Sequence, residues 1–410
     1  MTASDKRLLI SAPGKVILFG EHAVVHKKLA VAASLGLRTY LDVTENTSGQ
    51  CHLKLPDVQV DAAWPLSQLD IAVERESLEQ QHPSDMPDTL KQQLETLMGE
   101  TTSVAQKQAV MAFLYLYIIL KNEKGSSSSN FGLVIRARST LPVGAGLGSS
   151  ASFSTALATA LLMVFGHLPE AFATSEQKDP AWLETINRYA FKAEQVIHGN
   201  PSGVDNAVAT FGGALSFRRG EGFSQLEGCQ SLRLLLTNTK VPRSTSALVA
   251  GVGAKKQKYP AVVDPMLDAI DGISLRCVEV FKRLQTGEMD THKVTAELEE
   301  LVDINHCLLH GLGVSHPSLE TVRSVTETHG VKTKLTGAGG GGCAVSIIRD
   351  DISEETLNVV TKELQTHGYD CYQTSLGGVG ASASILRDIQ DEAWIESADR
   401  HTLEKLVARP

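Results

Sequence analysis

Three glycines and a serine pair, in GAGLGSSAS from Gly144 to Ser152, run straight into the apolar stretch FSTALATALLMVF. A helix N-terminus offers unpaired N–H groups and the positive end of a dipole, and glycines let the backbone wrap closely round an anion. Gly144, Ala145, Gly146, Leu147, Gly148 and Ser149 therefore read as a phosphate cradle, with the Ser150 hydroxyl placed to hold a phosphate oxygen or a Mg²⁺ ion. The plainer alternative is an N-cap serine behind a flexible turn. The stretch lacks the lysine of GxxxxGK[ST], so the cation must come from elsewhere. Lys15, in SAPGKVILFGEHAVV, is a source: it follows a Pro-Gly turn and enters a strand, with Ile17 and Phe19 on its own side and Val16 and Leu18 on the other. It is either a snorkelling edge charge or a buried functional cation. Glu21 and His22 come after a glycine turn, where they project into a cleft or form a solvated turn.

FKAEQVIHGNPSGVDN puts Glu194 and His198 four residues apart on one helix face, and Asp205 in a loop beyond a Pro-Ser-Gly turn. Loop aspartates are usually turn formers. A carboxylate that takes up a proton and a second that holds a metal are, however, what phosphoryl transfer needs beyond a phosphate cradle. Lys15 and Asp205 carry opposite charges that could pair in an empty site. In TGAGGGGC, Gly337, Gly339 and Gly342 satisfy GxGxxG, yet the β-type run CAVSII follows where a dinucleotide site needs a helix. A glycine run that also holds Gly340 and Gly341 implies close approach of backbone to backbone or to ligand, and could be purely structural. His306 and His310, at i and i+4, raise zinc. The glutamate of HExxH is missing and no third ligand is close in sequence, so a satisfied helix surface is preferred.

The elements that must position these residues follow from pattern. Short β-rich runs at Leu8–Ile10, Val16–Phe19 and Leu37–Thr44 read as strands, as does FGLVIRARS before the glycine loop, where Phe131, Leu133 and Ile135 alternate. Ala109–Leu120 is an apolar run well short of a membrane span and reads as a buried helix. GSSSSN at Gly125–Asn130 is a connector, and the glutamine- and glutamate-rich stretch Ile71–Gly99 is polar helix or loop. A helix is expected over Trp182–His198, then strands ALSFRR and LRLLLTNTKV. Helices near Val262–Leu284, Val294–Leu309, Leu319–His329 and Glu354–His367 follow, with CAVSII and YDCYQTS as strands. The order suggests an α+β chain, and 410 residues exceed one ordinary core. The divisions are 1–228, 229–390 and a tail over 391–410, the boundary near Gly228.

A formal net charge of −9 gives no field for nucleic acid or an anionic membrane, so an anionic substrate needs a local positive site. Six cysteines, Cys51, Cys229, Cys277, Cys307, Cys343 and Cys371, show no CxxC pair, which fits a reducing compartment. The opening MTASDKRLLISAPGK is not a signal peptide, so a cytoplasmic location is expected. The end reads VARP rather than the SKL address, and peroxisomal association stays open.

APGKVILFGEHAVV, PVGAGLGSSAS, HGNPSGVDN, TNTKVPRST and KLTGAGGGGCAV together resemble the GHMP kinase superfamily, in order from about residue 8 to residue 385. Within it the likeness is to the animal branch that phosphorylates mevalonate. The resemblance implies two lobes, a ribosomal-protein-like N-terminal α/β lobe and a ferredoxin-like C-terminal α+β lobe, with ATP and mevalonate between them. Carried over by position, Asp205 resembles the catalytic base and Lys15 the cation that lowers the alcohol's pKa. Ser150 and Glu194 resemble the Mg²⁺ ligands, and Glu21, His22 and Thr245 substrate-side positions. Gly337, Gly339, Gly340 and Gly341 resemble the supporting loop. A homodimer and feedback inhibition by isoprenoid diphosphates are also implied. The match is weak before Gly125 and over Thr174–Pro180, and SLGGVGAS lacks the proline expected among its glycines.

Overall fold

The computed structural model describes residues 7–73, 86–124, 131–142, 144–226, 232–387 and 391–407. Its spine is an antiparallel pair, β1 (Arg7–Phe19) along β2 (Ala30–Asn46), from Arg7 opposite Thr44 to Phe19 opposite Val31. The sequence predicts two short strands separated by a Pro-Gly turn. Instead the strand runs through, and its register shifts between Pro13, opposite Arg38, and Lys15, opposite Ser34. Proline is tolerated at such an irregularity, and the local kink re-aims the side chain that follows. Here that side chain is Lys15.

The other edge of β2 is shared between β6 (Ala214–Arg218) at Ala30–Ala33 and β5 (Gly132–Ser139) at Thr39–Asn46. β3 (Gln50–Leu55) lies parallel to β5 and antiparallel to β4 (Val60–Pro65), β7 (Gly222–Leu226) extends β6, and β12 (Ser382–Leu386) pairs with β1. Helices Val104–Lys124, Ser149–Val164 and Pro180–His198 share an apolar core with this sheet. The predicted buried helix is there: from Ala112 to Leu120 no residue is more than 7% exposed.

β8 (Leu232–Asn238), β9 (Thr333–Leu335), β10 (Cys343–Ile348) and β11 (Asp370–Leu376) are antiparallel neighbours in the order β11-β8-β10-β9. Helices Thr245–Lys258, Pro260–Gln285, Thr291–Gly311 and Pro317–Thr328 lie between β8 and β9 in the chain, and Glu354–Thr366 between β10 and β11. This is the ferredoxin-like βαββαβ order. A single pairing, Leu376 with Leu35, joins β11 to β2.

The boundary residue Gly228 and the GSSSSN connector lie outside the described residues, as do 74–85 of the polar stretch, whose later part is the helix Asp88–Met98. The tail is packed: Ile395 and Leu403 are buried with Leu9 and Tyr40. No helix among the described residues is long and apolar enough to cross a membrane.

Candidate active site

The loop after β5 turns through three left-handed glycines, Gly144, Gly146 and Gly148, at φ 73°, 80° and 72°. Gly148 is the N-cap of the helix Ser149–Val164 and no side chain caps it, so the serine-cap alternative does not hold. Ser149 and Ser150 occupy the first turn. Two neighbours explain the glycines. A Cβ on Gly146 would lie 1.6 Å from Arg243 Nη2, and one on Gly148 would lie 2.8 Å from Lys15 Cγ. Arg243 donates to Ala145 O (3.1 Å) and Thr336 O (3.3 Å), so its guanidinium ties the two glycine-rich loops together. The sequence reading missed it; the signal was the need for cations that the first loop lacks.

Lys15 Nζ and Asp205 Oδ1 are 3.1 Å apart, the pairing that their charges suggest. Asp205 is not in a loop, as expected, but in the first turn of the helix Val204–Phe211, because Gly203 at φ 81° lets a new helix start directly after the Pro-Ser-Gly segment. Behind the Ser150 hydroxyl lies Glu194, which accepts from Ser150 Oγ at 3.0 and 3.1 Å and from Ser154 Oγ at 2.8 Å. His198 Nε2 is 2.8 Å from Ser150 Oγ and 3.8 Å from Glu194 Oε2. Burial, with Asp205 adding like charge, pushes the Glu194 carboxyl up to about 7 against the hydroxyl hydrogen bonds and Lys15. Burial also lowers the His198 pKa. A hydroxyl and two carboxylates are hard oxygen donors of the kind Mg²⁺ takes, and a buried carboxylate this short of positive charge fits a cation.

On the opposite wall, Glu21 is fully buried in an ion pair with Lys334 and accepts from Asn305 Nδ2 at 3.1 Å. Burial raises the Glu21 carboxyl and lowers the Lys334 ammonium, each opposed by its partner's charge. His22, at φ 60°, bonds through Nε2 to Ala338 O (2.9 Å), and burial lowers its pKa. With Nε2–H donating, Nδ1 is a buried acceptor with no partner among the described residues.

These walls enclose one cleft of about 760 Å³, lined also by Gly144, Thr245 at the start of its helix, and Gly337. Ala145 and Leu147 do not line it; both are buried in the apolar core beneath the loop, so only their backbone is available to a ligand. Nor do Gly339, Gly340 and Gly341. They pack on protein, with Gly340 N bonded to Val314 O at 2.8 Å, which is the structural reading of that loop. Beyond the loop the cleft continues into an apolar end at Leu55, Val58, Val104, Ala105 and Ala109. No local signal marks those residues; the β3 turn and a helix start meet there only in the fold.

The two helix histidines do gain a third group, Glu320. His306 is buried, not on a surface, and Leu335 N donates to its Nδ1 at 3.2 Å. The neutral ring must therefore carry its proton on Nε2, which donates to Glu320 Oε1 at 3.0 Å. That nitrogen has no lone pair for a metal, so the cluster is a hydrogen-bonded network.

The family model for the N-terminal domain of GHMP kinases matches residues 112–213, and that for the C-terminal domain matches 292–368. The chain is 44% identical to mevalonate kinase of Homo sapiens over 356 residues, 85% of this chain and 87% of that protein. It is 40% identical to mevalonate kinase of Candida albicans over 369 residues, 86% and 84%. Among solved structures, L. major mevalonate kinase in complex with R-mevalonate superposes with a TM-score of 0.64 at 25% identity, covering 93% of this chain and 97% of that one. With the two-lobed fold and these relatives along most of its length, the chain belongs to the mevalonate kinase family of GHMP kinases.

Proposed function

We propose that the protein transfers the γ-phosphoryl group of ATP to the primary alcohol of mevalonate, giving 5-phosphomevalonate for isoprenoid and sterol precursors. The observation that carries this reading is the Lys15–Asp205 pair, held 3.1 Å apart beside the glycine loop. An alcohol is a weak nucleophile until its proton has somewhere to go. Asp205 accepts that proton, and Lys15 stabilises the charge developing on the alcohol oxygen and the transferring group. The N–H groups from Gly144 to Ser149 and the Arg243 guanidinium hold the phosphates, and the apolar end at Leu55 and Val104 takes the base. Ser150 and Glu194, with Asp205 close by, are the residues that would hold Mg²⁺, which when bound offsets phosphate charge. His22 lines the cleft on the substrate side, and Lys334 keeps Glu21 and the wall beside it in place.

A homodimer, feedback inhibition by isoprenoid diphosphates and a cytosolic location belong to the same reading. The family resemblance supports the first two, and the scattered cysteines support the third.

The test is an ADP-release assay with Mg²⁺–ATP against mevalonate, phosphomevalonate, homoserine and galactose, with Asp205→Ala alongside. Turnover with mevalonate alone, lost in the variant, is expected. Turnover on another of the four would move the protein to a sister kinase, and turnover on none would overturn the enzymatic reading.

A further inference from the structure

Among the described residues, most buried or half-buried cations that hydrogen-bond or ion-pair face a carboxylate: Arg7 with Asp42 at 2.6 Å, Lys334 with Glu21, Lys15 with Asp205. Arg243, Arg38, Lys178 and Arg138 depart from that pattern, and Arg138 donates to Glu396 O at 3.3 Å. Arg243 is held by two carbonyls, and it lines the cleft where phosphates are to bind. Arg38 is 4% exposed and donates only to neutral groups: Val379 O and Gly380 O at 2.6 Å, with Ser11 and Ser382 at 3.0–3.3 Å. Lys178 donates to Phe172 O (2.5 Å) and Ser175 O (2.7 Å) and lies over the Phe172 ring. Neither has a carboxylate within ion-pair distance among the described residues.

Arg38 and Lys178 line the same cleft, a second one of about 900 Å³. Its floor is the glycine-rich segment at Gly378–Gly380, within the SLGGVGAS sequence that departs from the family pattern. The two clefts share the helix Val204–Phe211, which presents Asp205 to the first and Thr210 and Phe211 to the second. Two acidic side chains line the second cleft as well, but Glu404 is engaged by Arg400 at 2.6 Å and Glu176 is exposed at the rim. A guanidinium buried with no carboxylate in contact is costly, and carbonyl and hydroxyl contacts, with Glu404 acting only from beyond ion-pair distance, leave it without a paired anion. An anion in the cleft supplies what the chain does not.

We propose that this second cleft binds a small polyanion, a phosphorylated or polycarboxylate metabolite, through Arg38 and Lys178. The first cleft's Arg243, likewise held by neutral oxygens with no carboxylate partner, is the internal parallel.

Equilibrium dialysis of labelled inorganic diphosphate, and separately of citrate, with the first cleft filled by a non-hydrolysable ATP analogue, tests this. One equivalent of at least one probe should be retained, and which one separates the phosphoryl from the carboxylate source. Lys178→Met and Arg38→Met should each weaken that binding at least tenfold, with Arg243→Met leaving it within twofold. Should Arg38→Met not fold, Lys178→Met decides. If the nucleotide analogue fails to occupy the first cleft, a further equivalent sensitive to Arg243→Met appears, so that failure is read separately. Retention of neither probe, or retention indifferent to Lys178→Met, overturns the proposal.

Discussion

Two clusters in this chain are built from the same parts. In one, Glu194 accepts from Ser150 and Ser154 and has His198 four residues along its own helix. In the other, Glu320 accepts from Ser315, from His306 at 3.0 Å and from His310 at 3.1 Å, the histidines again four apart. Yet the carboxyl of Glu194 is pushed up to about 7, and that of Glu320 is held at about 2. The Glu194 side chain is 4% exposed and looks towards Asp205, so burial and like charge outweigh its hydroxyl donors. Burial raises Glu320 too, but at 32% exposure the hydrogen bonds from Ser315, His310 and His306 outweigh it. Residue type and spacing do not tell a site from a structural network. Charge balance does: the unsatisfied cluster lies behind the glycine loop, and the satisfied one holds two helices together.

The comparison breaks first at the carboxylate facing Glu194. Asp205→Ala should lower kcat by several powers of ten, on the order of 3–6 kcal/mol of transition-state stabilisation, with ATP affinity little changed in a direct binding measurement. Near-wild-type turnover would remove Asp205 from the chemistry. Paired substitutions then test the two clusters directly. Glu194→Gln should cost roughly 100-fold in kcat and leave the melting temperature of the metal-free protein unlowered, because it removes a buried carboxylate that resists ionisation. Glu320→Gln should do the reverse, holding kcat within about twofold while costing about 1–3 kcal/mol in urea unfolding. Equal effects of the two on turnover would erase the distinction.

Gly146→Ala sharpens the comparison on the loop side. Its Cβ would overlap Arg243 Nη2, and a rise in KM for ATP of about tenfold is expected, with circular dichroism unchanged. Ser150→Ala should raise the Mg²⁺–ATP requirement more than the mevalonate requirement, and equal effects on both would count against its metal role. The smallest effect is on acid stability. Because the Glu320 pKa in the fold lies below its ordinary value of 4.5, its contribution is complete above 4.5 and is lost as pH falls from there towards about 2. Glu320→Gln should flatten that segment of the acid-unfolding curve.

Local pattern carried most of the element list: the strand before the glycine loop and the strand–glycine–strand order around Gly339 are where residue pattern puts them, and the apolar run Ala109–Leu120 lies inside the longer helix Val104–Lys124. It did not carry β1 through Pro13, because the bulge exists only against β2. Nor did it carry the helix at Asp205, whose eight residues are too few to show a period.

What the sequence by itself determined is the chemical inventory: a glycine loop at a helix start, a lysine, and carboxylates in motifs specific enough to identify the family. What only the tertiary structure decided is which members meet. Lys15 reaches Asp205 across 190 residues, Glu21 finds Lys334, Arg243 threads between two glycine loops, and Glu320 completes and silences the histidine pair. The physical reason is that charge balance is a sum over neighbours in space. Spacing along the chain reports neighbours only within one helix turn or one strand.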